Sequence, residues 1–274
     1  MSTKSRGAAP VTLAVANQKG GVAKTTSVAS IGAALAELGH RVLLVDLDPQ
    51  ACLTFSLGID PEDLETSVHH VLTQGVDPIE IIIETEEGVD VLPATIELAR
   101  AEADLLTRTG REYVIRTAIE ESADYDWVLL DCPPSLGVLT VAALTAADGV
   151  LIPLQCETLS HRGVGQLLDT VHDVRRFTNK GLEVWGVLPT LYDGRTNHSR
   201  TVLETISETY DLDVIEPPIP KSIRFAEAPA AGRSILKTAR SNKGAQAYRD
   251  VAVNLVIRAQ RPRKARAAKK KTRA

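Results

Sequence analysis

The chain has 274 residues, of which 44% are hydrophobic and only 4% aromatic; this predicts one large α/β domain with a core of Val, Leu, Ile and Ala, and it excludes a wholly disordered chain. Cys52, Cys132 and Cys156 are scattered without metal-ligand spacing, which excludes a disulfide scaffold and fits a reducing cytoplasm. The net charge of −4 hides a split, because residues 258–274 hold nine Arg/Lys and no acid while the rest is markedly acidic; no apolar run reaches membrane-spanning length, and residues 1–10 lack the apolar segment of a signal peptide.

Residues 1–10, rich in Ser, Gly and Ala, read as a flexible arm. Val11–Asn17 reads as a strand that stops at Gln18-Lys19-Gly20-Gly21. Val22-Ala23-Lys24-Thr25-Thr26 then opens a helical pattern running to about Leu38 and closed by Gly39. Strand, glycine-rich turn, Lys-Thr and helix is the layout of a phosphate-binding loop. Gly20 and Gly21 tolerate backbone angles that turn successive N–H groups toward one anion, and the helix start adds unpaired N–H groups and the positive end of its dipole. Lys24 brings a full charge for the β- and γ-phosphates of ATP, and the Thr25 hydroxyl suits Mg²⁺.

Farther on, strands are expected at 41–46, 88–92, 126–131, 149–154 and 182–188. Helices are expected near 95–107, 111–122, 136–146, 158–176, 197–209 and 242–258, with a Pro-rich segment at 213–223. Strands alternating with helices predict an α/β fold: a doubly wound, mostly parallel sheet with helices on both faces. In such sheets ligands sit at the carboxyl ends of the strands. Asp46-Leu47-Asp48-Pro49 and Asp131-Cys132-Pro133-Pro134-Ser135 end two apolar runs, so Asp46, Asp48 and Asp131 are expected beside the loop, with Asp131 as the Walker B carboxylate for Mg²⁺.

The ordinary P-loop pattern places glycines where this chain has Gln18 and Ala23, and the Ala23 methyl must fit beside the phosphates. What remains, K-G-G-x-x-K-[ST] with Lys19 as an added lysine, resembles the deviant Walker A motif of the ParA/MinD group of P-loop ATPases. V-D-x-D-P-Q at 45–50, D-x-P-P-S at 131–135, D-x-R-T at 193–196 and I-P-x-x-x-R-x-x-E-A-P at 219–229 look like later ParA motifs, so the likeness covers residues 11–257. The resemblance implies a homodimer that sandwiches ATP, with Lys19 reaching the partner's phosphates. It implies that Gly20, Gly21, Val22, Ala23, Thr25 and Thr26 line the nucleotide, that Asp48 orients the attacking water and that Asp46 supports the metal. By position alone, Pro189 and Pro220 are expected to frame the adenine.

The resemblance also implies that Arg195 and Arg224 contact DNA, and Lys221 lies beside them in sequence. Without a helix-turn-helix, a zinc finger or a series of stacking aromatics, the expected target is duplex DNA bound non-specifically through its phosphates. The function implied is chromosome or plasmid segregation on the nucleoid, with a ParB-type activator. The rivals are a MinD-like division-site regulator at the membrane, a positioning ATPase for another cargo, a metabolic P-loop enzyme and a non-hydrolysing ATP-switched scaffold. Residues 258–274 read as an additional DNA-binding arm or as a solvated end. They do not read as a membrane anchor, since alanines are the only apolar residues after Ile257 and Pro262 interrupts any helix.

Overall fold

The computed structural model describes residues 9–122, 124–157, 160–195 and 197–260. The expected arm at 1–10 and basic tail at 258–274 thus lie mostly outside the described residues. The strands are β1 (Val11–Val15), β2 (Val42–Asp46), β3 (Ile83–Glu84), β4 (Asp90–Leu92), β5 (Trp127–Asp131), β6 (Gly149–Gln155) and β7 (Glu183–Thr190). They form one seven-stranded sheet in the order β3-β4-β2-β5-β1-β6-β7. Every neighbouring pair is parallel except β3 with β4. This is the doubly wound α/β sheet that the sequence predicts.

Because the central strands are covered on both faces, their side chains divide between two cores. Leu13, Val15, Val42, Leu44 and Leu129 pack with α1 (Lys24–Glu37), α10 (Ile235–Thr238) and α11 (Lys243–Ala259). Ala14, Leu43, Val45, Val128 and Leu130 pack with α3 (Val68–Gln74), α4 (Leu98–Leu106), α5 (Val114–Glu121), α6 (Val138–Ala146) and α7 (Ser160–Phe177). The helix that follows the glycine-rich loop is tied to the last one. Ser27 and Tyr248 share a buried hydroxyl–hydroxyl bond of 3.0 Å. Arg249 forks onto the Glu37 carboxylate at 2.6 and 3.0 Å, and the guanidinium holds the Glu37 pKa below its ordinary value.

The Pro-rich segment does more than connect. Ile215 N–H donates to the Val187 carbonyl and Ile219 N–H to the Pro189 carbonyl, at 2.8 and 2.7 Å, so the chain runs beside β7 and covers that edge. Pro217 and Pro218 have no N–H to donate, so no regular strand forms. The short helices α2 (Cys52–Ser56), α3, α9 (Arg224–Ala230) and α10 were not expected, being too short to show a helical period; α8 (Asn197–Tyr210) was. Helix α11 runs one residue beyond its expected end, and Arg258, assigned to the tail, is held in the helix against Asp213 at 3.1 Å. No helix among the described residues is long and apolar enough to cross a membrane.

Where β6 meets β7, Gly149 lies against the buried ring of Trp185; a Cβ at 149 would stand 2.2 Å from Trp185 Nε1. Trp185 in turn packs edge-on against Trp127, with centroids 6.2 Å apart. Gly149→Ala is expected to destabilise the fold by roughly 1–3 kcal/mol through overpacking, seen as a lower urea midpoint with an unchanged slope.

Candidate nucleotide-binding site

The loop between β1 and α1 is fixed from both sides. Asn17 is buried; its amide donates to the Pro153 carbonyl at 2.7 Å, and its side-chain oxygen accepts from Lys19 N–H at 3.0 Å. On the far side, the Thr190 hydroxyl at the end of β7 donates to the Val22 carbonyl at 2.9 Å. Gly21 and Ala23 both adopt left-handed backbone angles, with φ of 73° and 63°. For Ala23 this costs about 1 kcal/mol that a glycine would avoid, and it ends the loop in the turn from which α1 starts.

No protein acceptor meets the N–H groups of Gly20, Gly21, Lys24, Thr25 or Thr26 among the described residues. Unpaired N–H groups at a helix start make a cradle suited to an anion. Lys24 is 7% exposed and its ammonium lies over the loop, 3.4 Å from the Lys19 carbonyl. Lys19 points elsewhere: its ammonium pairs with Glu157, just past β6, at 2.5 Å.

The carboxylates approach from the neighbouring strands. Parallel pairing sets Val15 beside Asp131 and Asp131 beside Asp46, so the ends of β1, β5 and β2 are level. Asp46 is fully buried, but its oxygens are used. One accepts from the Thr54 N–H and hydroxyl at 2.9 and 2.8 Å, and the other from Asp48 N–H at 3.2 Å. Burial, offset by the Thr54 and Asp48 bonds and raised further by the Asp48 charge, brings its pKa to about 6. Asp131 is equally buried, yet neither of its oxygens has a hydrogen-bond partner of ordinary geometry. Burial and the facing Asp46 carboxylate push its pKa well above the usual range, while the Thr25 hydroxyl and Lys24 pull it back. Asp48 is half-exposed, starting a turn in which one oxygen accepts from Gln50 N–H at 3.0 Å.

Residues 11–184 match the family described as "AAA domain". The sporulation initiation inhibitor protein Soj of Bacillus subtilis is 45% identical over 88% of this chain and 96% of that protein. The chromosome partitioning protein ParA of Caulobacter vibrioides is 41% identical over 93% of this chain and 97% of that one. The chain belongs to the ParA/Soj family of P-loop ATPases. Among solved structures, a Mycobacterium smegmatis protein named cobyrinic acid a,c-diamide synthase, with bound ADP and magnesium, is 56% identical over 90% of this chain and 94% of that one, with a TM-score of 0.81.

The other residues singled out in this ParA/Soj chain fall into two groups. Pro189 and Pro220 are brought close: the Pro189 carbonyl binds Ile219 N–H, and Tyr192 pairs with Pro220 in a parallel bridge. With Thr190 bonded to Val22, both stand on the loop's flank. Arg195 and Lys221 lie on the two adjoining turns that leave this edge and Arg224 is the first residue of α9; all three are exposed. Arg195 forks onto Asp193 at 2.9 and 2.8 Å, and Arg224 binds Glu227 at 2.7 Å. Asn17, Thr54 and Glu157 went unrecognised in the sequence, where single polar residues in loops or a short helix carry no spacing signal; Thr190 was expected beside Pro189 near the adenine, not as a bond to Val22.

The folded chain keeps the Asp131 proton where the unfolded chain has lost it. The stability this group contributes is therefore complete below about pH 4 and is lost as pH rises through its elevated pKa. Asp131→Asn is accordingly expected to gain stability relative to the parent as pH is raised from about 5 to 8. The check is the difference in urea midpoints in metal-free buffer at each pH; a difference constant across that range contradicts the expectation.

Proposed function

We propose that this chain is a partitioning ATPase that dimerises around ATP and Mg²⁺, holds duplex DNA non-specifically in that state and lets go after hydrolysis. The observation that carries the proposal is Asp131: a fully buried carboxylate with no hydrogen bond of ordinary geometry, level with a loop of unpaired N–H groups. A divalent cation is the group such a carboxylate fits, and the Thr25 hydroxyl is its natural second protein ligand. When bound, Mg²⁺ neutralises charge on the β- and γ-phosphate oxygens. Asp46, whose oxygens are already taken by Thr54 and Asp48, supports the metal side by holding the Asp48 turn. Asp48 orients the attacking water. The N–H groups of the loop and the Lys24 ammonium hold the phosphates, and Pro189 and Pro220 border the adenine.

Lys19 is spoken for by Glu157 in the single chain. In the proposed dimer it leaves that carboxylate for the partner's phosphates. Arg195 and Arg224 likewise exchange Asp193 and Glu227 for DNA phosphates, joined by Lys221. Exposed pairs of this kind are worth about 0–1 kcal/mol, so exchange is cheap. Doubling these cations in a dimer makes DNA binding follow ATP binding. The cargo implied is a chromosome or plasmid, the activator a ParB-type protein and the working place the nucleoid.

The name of the Mycobacterium smegmatis relative favours a second reading, ATP-driven amidation of cobyrinic acid. An amidase that draws ammonia from glutamine needs an activated nucleophile, commonly a thiolate. Burial raises the thiol pKa of Cys132 and Cys156, the latter to about 11, and burial with the neighbouring carboxylates raises that of Cys52. The partitioning reading therefore has the better support.

Lys19→Ala and Asp48→Ala are each expected to abolish phosphate release, whereas Lys24→Ala also weakens nucleotide binding. Phosphate release should rise with duplex DNA and a partitioning partner and be indifferent to cobyrinic acid with glutamine; the opposite pattern selects amidation. Retention of random duplex DNA should be at least tenfold stronger with a slowly hydrolysed ATP analogue than with ADP. Arg195→Ala or Arg224→Ala should lower the slope of log affinity against log salt by about one. Equal retention with both nucleotides removes the coupling.

A further inference from the structure

The loop from Asp131 to α6 is lined with polar groups left without partners. The Asp131 oxygens are accounted for by the cation reading. The Ser135 hydroxyl and Glu102 Oε1 are not: both atoms are buried and neither makes a hydrogen bond. They converge on one point. Gly137, the residue before α6, has no Cβ; the place a Cβ would take is 2.6 Å from Glu102 Oε1 and 3.5 Å from Ser135 Oγ. Helix α6 begins there without a side-chain cap. The Thr140 hydroxyl, in its first turn, donates back to the Ser135 carbonyl at 2.7 Å, so the loop is folded over the helix start. A carboxylate from α4, a hydroxyl from the loop and an uncapped helix start thus meet with their bonds unmade.

Leaving such groups buried and unpaired costs the fold their full desolvation. The cost is recovered if the same groups pair in a second arrangement of the loop, and any ligand that favours that arrangement draws on the difference. The Glu102 contact meets the loop that begins with Asp131, the residue assigned above to the cation.

We infer that Glu102 is a positioning residue for the loop 132–137. In the ATP-bound arrangement its carboxylate accepts the Ser135 hydroxyl and the first N–H groups of α6, which clamps α4, the loop and α6 together and fixes Asp131. This rests on the ATPase reading. Glu102 acts through Ser135 and touches no nucleotide. An acceptor oxygen at residue 102 matters more than its charge, and the effect belongs to turnover rather than to nucleotide affinity.

The test uses the full chain and its Glu102→Ala, Glu102→Gln, Ser135→Ala and Glu102→Ala/Ser135→Ala variants, with thermal midpoints measured for each. Phosphate release at saturating Mg-ATP is expected to fall about tenfold in both alanine variants, with affinity for a fluorescent ATP analogue within about twofold of the parent. Glu102→Gln, which keeps an acceptor oxygen, should restore most of the rate, and the double variant should be no slower than either single one, since both remove one interaction. Amide exchange at Gly137–Val141 provides a readout that needs no turnover. It should slow when a non-hydrolysed ATP analogue binds the parent, and not in Glu102→Ala. Unchanged rates, additive losses, or equal protection in parent and variant overturn the inference. Protection in a parent that releases no phosphate counts against hydrolysis alone, and a parent with no nucleotide response overturns both.

Discussion

Asp46 and Asp131 face each other across two hydrogen-bonded parallel strands, fully buried, and two carboxylates so placed cannot both stay charged without help. The fold deals with them unequally. Asp46 is neutralised in effect by three donors, two of them from Thr54 on α2. Thr54 also accepts from Ala94 N–H at 3.0 Å, so the same residue ties β2, α2 and the chain after β4. Asp131 has no hydrogen bond of ordinary geometry and is eased only by the nearby Thr25 hydroxyl and Lys24. The asymmetry makes one of the two strand-end acids a structural group and leaves the other without a hydrogen bond of ordinary geometry.

The phosphate loop shows the same economy. Ala23 sits in the left-handed region where a glycine would be relaxed, and the strain is borne by the packing of α1. Ser27, one turn into that helix, is locked to Tyr248, and Glu37 at its other end is locked to Arg249. A rigid helix holds its first N–H groups open, because it cannot rotate to close them on its own chain. The loop's shape therefore depends on the last helix of the domain as much as on its own sequence.

A series of hydrogen bonds joins the loop to the edge that carries Arg195, Lys221 and Arg224. Thr190 binds the loop through Val22, β7 continues into the turn bearing Arg195, and Tyr192 is bonded to the segment that delivers Lys221 and Arg224. A small cavity lined by Thr26, Ser30, Ser56, Phe225, Pro229 and Ser234 separates the start of α1 from α9. Arg224 begins α9, on the far side of that cavity. In the isolated chain three of the basic groups near these sites already have a carboxylate: Lys19 has Glu157, Arg195 has Asp193 and Arg224 has Glu227. These exposed pairs keep the cations ordered at little cost and give them up readily.

The sequence by itself determined the layers of the fold and the family of the site. Apolar runs of strand length alternating with helical periods leave little choice but a covered parallel sheet. Gly20, Gly21, Lys24 and Thr25 are contiguous, so their chemistry is legible without knowing what surrounds them. The motif resemblance already gave Asp131 and Asp46 different roles; the tertiary structure supplied the physical reason, since Thr54 stands beside Asp46 and bonds it twice. It alone brought Glu157 to Lys19, Thr190 to Val22 and Glu102 to Ser135, since these pairs are distant in the chain and meet only through strand order. It also turned the Pro-rich segment into the cover of an edge. Local chemistry can be read from neighbouring residues, whereas partnership between remote polar side chains is set by register and packing, which no single stretch of sequence contains.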